Sequence, residues 1–206
     1  MSEFLDVVDE RGLPTGEVVS REEAHRCGIR HRTAHVWIVR IRDGRLQILL
    51  QKRSDEKDSY PGCYDISSAG HIPAGVNFVE YALRELREEL GVQASPEELE
   101  LCGQRQIRFE ELFHGAMFRD NQVSNIYLLW LDRDEEEFVI QKEELSCVKW
   151  FDYKECLAAV QANTIPHCII VEELEMVRAQ AERSCDAGKM TLEGTYGNNG
   201  VYGGAD

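Results

Sequence analysis

Residues 84–92 read RELREELGV and place Glu85, Glu88 and Glu89 at i, i+3 and i+4. On a helix of about 3.6 residues per turn, that spacing puts three carboxylates on one face within a single turn. Anions so close repel each other unless a positive charge sits among them, and a hard divalent cation with a preference for oxygen ligands is the natural neutraliser. The flanks support a helix. Asn77 is a good N-cap, and Glu80 three residues on forms a capping-box pair with it. Gly91 stands where a helix commonly ends in a left-handed turn. Phe78, Ala82, Leu86 and Leu90 form an apolar stripe beside the acidic face. The pattern predicts a helix from about Phe78 to Leu90. Taken alone, the acidic face also fits an ordinary solvated helix surface.

Charge and composition narrow the function. The chain has 206 residues and a formal net charge of −15, which argues against a general nucleic-acid surface, since that needs a basic stripe. An anionic substrate would then need a metal or local basic groups to overcome repulsion. No apolar run reaches the roughly 18 residues of a membrane span, and MSEFLDVVDE does not read as a signal peptide. The expectation is a cytoplasmic protein, with a homodimer left open. Seven cysteines without a C-x-x-C pair read as reduced thiols, with Cys63, Cys102 and Cys147 expected buried in strands.

The element pattern predicts an N-terminal hairpin over FLDVVDE and RGLPTG, then a short helix opened by Ser20 and Glu23 and closed by Gly28. Strands follow from His31 to Ile41 and Leu46 to Lys52, joined by the Asp43-Gly44 turn, then near Leu99–Phe109, Val123–Leu131 and Val148–Phe151. A helix is expected near Tyr153–Asn163, and Pro166 is expected to introduce a last helix at about His167–Ser184. The expected organisation is an N-terminal extension (1–30), a domain (31–185) and a glycine-rich mobile tail (186–206).

Residues 70–92 as a whole resemble the Nudix box, G-x5-E-x7-R-E-U-x-E-E-x-G-U with U a bulky apolar residue. Gly70, Arg84, Glu85, Leu86, Glu88, Glu89, Gly91 and Val92 fall in register, whereas Val76 stands where the family has a glutamate. LLQKRS (49–54), YPGCYDISSAGHIPAG (60–75) and EELSCVKWF (143–151) resemble the strands and loops around that box. GHIPAG and GIRHRTAHVWIV (28–39) point to the branch that resembles isopentenyl-diphosphate isomerase. The resemblance implies an α/β fold, an α/β/α sandwich on a mixed sheet, and a metal-dependent hydrolase acting on a diphosphate linkage in a small molecule.

By the same resemblance, Glu85, Glu88 and Glu89 would hold Mg²⁺ or Mn²⁺ with help from the Gly70 carbonyl, and Arg84 would fix a box carboxylate. Arg84 could equally form a surface pair with Glu80. Lys52 and Arg53 end a strand just before the box and could hold the diphosphate, or simply solubilise the strand end. Glu110, Glu111, Glu143 and Glu144 lie in plausible late loops as general bases, with Glu144 the first choice. The substrate could be a nucleoside diphosphate derivative or an isoprenoid- or thiamine-type diphosphate. Phe109, Phe113 and Phe118 could stack on a base, with core packing the plainer role.

Two alternatives differ in chemistry. The isomerase moves protons on carbon with a cysteine and a glutamate; the matching positions here are Ala69 and Gln122, which offer no titratable proton. That enzyme also binds a metal through histidines. His31 and His71 match in place, with His25 one residue out of register, yet without the glutamate the reading favours a structural or substrate-facing role for His31 and His71. His35 is expected on the face opposite a possible ligand. A non-catalytic diphosphate-binding module is the other alternative, favoured only by Val76.

Overall fold

The structure, a computed structural model, describes residues 3–57, 59–113 and 115–188. The tail expected from 186 onward therefore lies almost wholly outside the described residues, and Asp186 is the last residue of a helix.

A long central strand organises the molecule. β3 (His31–Arg42) is buried over its first ten residues, because helices cover both of its faces. Ala34, Val36 and Ile38 point to one side, where they pack with Tyr81, Leu86 and Leu90 of the box helix α2 (Phe78–Leu90). Trp37 and Val39 point to the other, where they pack with residues of α3 (Tyr153–Gln161) and α4 (Val171–Asp186). The result is an α/β/α sandwich.

One edge of β3 runs parallel to β8 (Ala116–Trp130), which pairs antiparallel with β7 (Leu99–Phe113). Its other edge is shared. Thr33–Val36 pair with β6 (Ser68–His71), whereas Val39–Arg42 pair with β4 (Arg45–Arg53). β4 meanwhile carries β5 (Tyr64–Asp65) on one edge and β9 (Leu145–Asp152) on the other. The sheet thus forks where β3 and β4 part. Ser67 closes the base of the fork: its hydroxyl accepts from the Ile38 amide at 2.8 Å and donates to the Leu49 carbonyl at 2.5 Å. Both backbone groups would otherwise lose their ladder partner in a dry place.

Local signals behave as the sequence implies. The Asn77 side chain accepts from the Glu80 amide at 2.9 Å, and Gly91 ends the helix at φ 64°. The reciprocal half of the capping box differs, since the Glu80 carboxylate accepts from the Asn77 side-chain amide rather than from its backbone. The last helix begins four residues later than Pro166 suggests. The Pro166 carbonyl accepts from the Tyr64 amide, and the Cys168 amide donates back to Tyr64, so this stretch runs extended beside β5. Cys63 lies outside the strands, and Cys63, Cys102 and Cys147 are half-buried; the buried thiol is Cys156, on α3.

The N-terminal hairpin, β1 (Phe4–Val8) with β2 (Pro14–Ser20), leads into α1 (Arg21–Cys27). A buried ion pair ties it to the box loop. Arg32 donates to Asp6 at 2.6 Å and to the Val76 carbonyl at 2.9 Å, and the Gly75 amide donates to the same Asp6 oxygen. Asp6→Ala leaves the Arg32 guanidinium buried and uncompensated, and should lower stability by about 3–5 kcal/mol. Urea unfolding measures this, and the double replacement Asp6→Leu with Arg32→Met should recover most of the loss.

Candidate metal and diphosphate site

The fork opens into a cavity of about 940 Å³, a size that takes a substituted small molecule. Two sets of metal-ligating side chains lie at it, one from the box helix and one from α1, β3, β6 and β8.

On the box side, Glu89 is 8% exposed and accepts from the Ser68 hydroxyl at 2.8 Å. Burial, with the Glu85 charge adding to it, pushes the Glu89 carboxyl up to about 8. Burial also raises the Glu85 carboxyl. Glu88 is more exposed and faces the same cavity. The group fits a hard cation, because three carboxylates share one helix face and at Glu89 only a serine hydroxyl and the Lys57 charge offset burial. Gly70 also lines the cavity, and its lack of a side chain has a separate cause. A Cβ there would sit 2.0 Å from the Tyr81 hydroxyl, so the strand can lie against α2 only as glycine.

Arg84 stacks over the Tyr81 ring at 5.0 Å and lies 3.6 Å from a Glu85 oxygen, so its partner is the box carboxylate and not Glu80. Arg53 lines the cavity but is engaged: it donates to the Ser59 carbonyl and to Asp65 at 3.2 Å. Lys52 is not among the lining residues and sits in the ladder between Tyr64 and Cys147. A nearby cation without a sequence signal is Lys57, on the loop after β4, which donates to Glu144 at the cavity wall. Glu111 accepts from the Tyr60 hydroxyl. Val76 packs on the core beside α2. Phe109 and Phe118 wall the cavity rather than fill the core, and Phe118 stacks on His25 at 4.3 Å.

On the other side, His25, His31, His71 and Asp120 each turn a ligand atom inward, all within 4.8 Å of one another. His25 Nε2 lies 3.1 Å from His71 Nε2 and 3.9 Å from Asp120 Oδ1, which is 3.6 Å from His31 Nε2. Ligands about 2.1 Å from a tetrahedral centre stand roughly 3.4 Å apart, and these spacings bracket that value. The His31 Nδ1–H donates to the Ile29 carbonyl at 2.9 Å, which leaves the Nε2 lone pair facing the cluster. His31 Nε2 and Asp120 Oδ1 are both buried without a hydrogen-bond partner. Burial holds all three imidazoles below their usual value, His25 to about 3, and lifts Asp120 to about 6. Neutral imidazoles with an inward carboxylate are metal ligands in waiting.

Two sequence expectations change here. Asp120 supplies the carboxylate expected at Gln122; the two differ by one strand period and so share a face, which was a readable signal. His35 is not on the opposite face. It is four residues from His31 on the same strand, and it lines the same cavity.

A mixed-sheet sandwich with a carboxylate-bearing helix against a forked central strand defines a class of domain, and sequence comparison identifies it. The NUDIX domain family matches residues 31–168, and the chain belongs to that family. It is 40% identical over 163 residues to Nudix hydrolase 3 of Arabidopsis thaliana, covering 74% of this chain but 20% of that protein. It is 37% identical over 143 residues to an uncharacterised Nudix hydrolase of Clostridium acetobutylicum, covering 69% of this chain and 66% of the relative. The chain thus spans only part of the length of these relatives. A crystal structure from Deinococcus radiodurans superposes with a TM-score of 0.63 at 22% identity, over 85% of this chain and 99% of that one. The chain therefore carries the domain of a Nudix hydrolase.

Glu88→Gln and Glu89→Gln keep size while removing charge. Each should weaken Mg²⁺ affinity at least tenfold in calorimetric titration, with circular dichroism unchanged; unaltered affinity in both variants would remove the cation from this helix.

Proposed function

We propose that this chain is a metal-dependent pyrophosphohydrolase that cleaves a diphosphate linkage in a small molecule. The observation that carries the reading is the Glu85–Glu88–Glu89 face of the box helix, with Glu89 buried, at the wall of a cavity large enough for a substituted diphosphate. Glu85, Glu88, Glu89 and the Gly70 carbonyl would hold Mg²⁺ or Mn²⁺, which when bound screens phosphate charge and polarises the phosphoryl oxygens. Lys57 and Arg53 add positive charge at the same wall, which an acidic chain needs to admit an anion. Arg84 holds Glu85 in place. Glu144, at the cavity wall, takes the proton of the attacking water, and His71, which lines the same cavity, would face the substrate.

His25, His31, His71 and Asp120 would hold a second cation. Mixed imidazole and carboxylate donors suit Mn²⁺, Fe²⁺ or Zn²⁺ better than Mg²⁺. Asp120→Asn should therefore remove one equivalent of bound Mn²⁺ or Zn²⁺ by elemental analysis while Mg²⁺ affinity at the box stays unchanged.

That cluster is also the observation favouring a second reading, the isomerase-like branch. Ala69 and Gln122 weigh against it. The Gln122 amide donates to Asp120 at 2.6 Å and its carbonyl accepts from Thr33, so it holds the wall together and moves no proton on carbon. No helix among the described residues is long and apolar enough to cross a membrane.

A screen of diphosphates with Mg²⁺ or Mn²⁺ should release phosphate or a monophosphate from at least one of them, and Glu144→Gln should lower kcat by about 10²-fold or more. Val76→Glu should raise turnover by restoring the outer carboxylate. Deuterium uptake from heavy water into isopentenyl diphosphate, with no cleavage of any diphosphate, would overturn the hydrolase in favour of the isomerase.

A further inference from the structure

Beyond the two ligand clusters, the cavity has a third polar feature that neither reading uses. Glu173, in the first turn of α4, is wholly buried. Its carboxylate accepts from His35 Nδ1 at 3.0 and 3.1 Å, from Trp37 Nε1 at 3.3 Å and from Arg105 at 3.0 Å. Arg105 also donates to Glu172 at 2.6 Å. The local charge count then decides the state of His35. Two carboxylates face one guanidinium, and an imidazolium brings the group to neutrality. Burial works against that cation, but the Glu173 charge outweighs it and holds the imidazole above its usual value. Asp65, Asp120 and His71 also act on it from β5, β8 and β6.

With Nδ1 committed to Glu173, the ring turns Nε2 toward the cavity it lines, and the side chain is 10% exposed. Among the described residues, nothing accepts from Nε2. Of the neighbouring wall groups, Gln51 Oε1 is a buried acceptor without a partner, and several others are engaged. Thr33 is shared between Ser124 at 2.6 Å and Gln122, Gln122 is engaged with Asp120, and Arg53 is held by Ser59 and Asp65. A ligand that fills this end of the cavity displaces water from Nε2, and a cationic N–H covered without an acceptor is costly, so the occupant is selected by whether it brings one.

We propose that His35, oriented by Glu173, is the specificity-determining contact for the group that the diphosphate carries: its Nε2–H donates to an oxygen or nitrogen acceptor on that group, so the chain selects polar, acceptor-bearing substituents over hydrocarbon chains. This rests on the diphosphate reading above. A site built to hydrogen-bond its ligand discriminates strongly against one lacking the partner, because its own buried group is then stranded. Glu173 is a positioning residue, fixing the ring and its charge while Trp37 and Arg105 fix Glu173.

The test compares His35→Asn with the unaltered protein. Asparagine reaches Glu173 as Nδ1 does, but lacks the donor facing the cavity. The probes are UDP-glucose and ADP-ribose as acceptor-bearing diphosphates and n-pentyl diphosphate as the hydrocarbon. The unaltered protein should prefer the polar probes. His35→Asn should lower kcat/KM for them by about 10–100-fold, mainly through KM, the size expected for a lost hydrogen bond to a charged group. It should leave n-pentyl diphosphate unchanged or improved. Glu173→Gln, whose single acceptor oxygen keeps one of the contacts to Trp37 and Arg105, should shift the ratio the same way to a smaller extent, and serves should His35→Asn fold poorly. Equal losses on all probes, or no preference in the unaltered protein, would overturn the assignment. If no probe is cleaved, the hydrolase reading fails, and calorimetric binding of the same probes decides this one: a polar preference that His35→Asn abolishes upholds it, and an unchanged preference sinks it.

Discussion

The parting of β3 from β4, bridged by the Ser67 hydroxyl, is the constraint on which the rest of the structure depends. A sheet that stayed paired along its whole length would bury its centre and leave no room for a ligand. Here β3 gives up β4 at Val39 and takes β6 instead. One hydroxyl supplies the two hydrogen bonds that the divergence would otherwise lose. The gap is lined by strands and flanking helices, and so polar side chains from eight elements converge there. The two apolar clusters, one on each face, make the fork rigid.

Charge placement follows from that geometry. The chain is strongly acidic overall, yet the cavity does not simply collect carboxylates. Glu173 is fully compensated by His35, Arg105 and Trp37, and Asp65 is paired with Arg53. Glu85 and Glu89 on one side are compensated only in part, by Arg84 and by Ser68 with Lys57, and on the other stand the three neutral imidazoles with Asp120. Buried polar atoms without partners are rare in folded proteins, and the pairing of His31 Nε2 with Asp120 Oδ1 in one cluster is what separates that ligand position from a structural ion pair. The two donor sets differ in hardness, oxygen on the helix and mainly nitrogen on the strands, so they would sort different cations.

Local order was legible along the chain because it is written in short-range chemistry. The Asn77 cap, the Gly91 stop and the i, i+3, i+4 glutamates define α2 without any tertiary information, and its observed span matches the expectation residue for residue. The hairpin turn at Asp43-Gly44, the Ser20 cap and the Gly28 stop were readable for the same reason. Where a distant partner competes, sequence reading slipped. Pro166 signals a helix start, but β5 draws the following residues into an extended run, delaying α4. Phe109 and Phe118 look like core residues until the long β7–β8 hairpin carries them to the cavity wall.

The sequence by itself determined the family, through the spacing of Gly70, Arg84, Glu85, Glu88, Glu89 and Gly91, because those residues act within one loop and one helix. Only the tertiary structure decided which cations reach the cavity, replacing Lys52 with Lys57, and which carboxylate meets the histidines. His25, His31, His71 and Asp120 come from α1, β3, β6 and β8, and their convergence depends on strand order and register. His35 and Glu173 stand 138 residues apart. No periodicity links positions so distant; the packing of α4 over the fork brings them together.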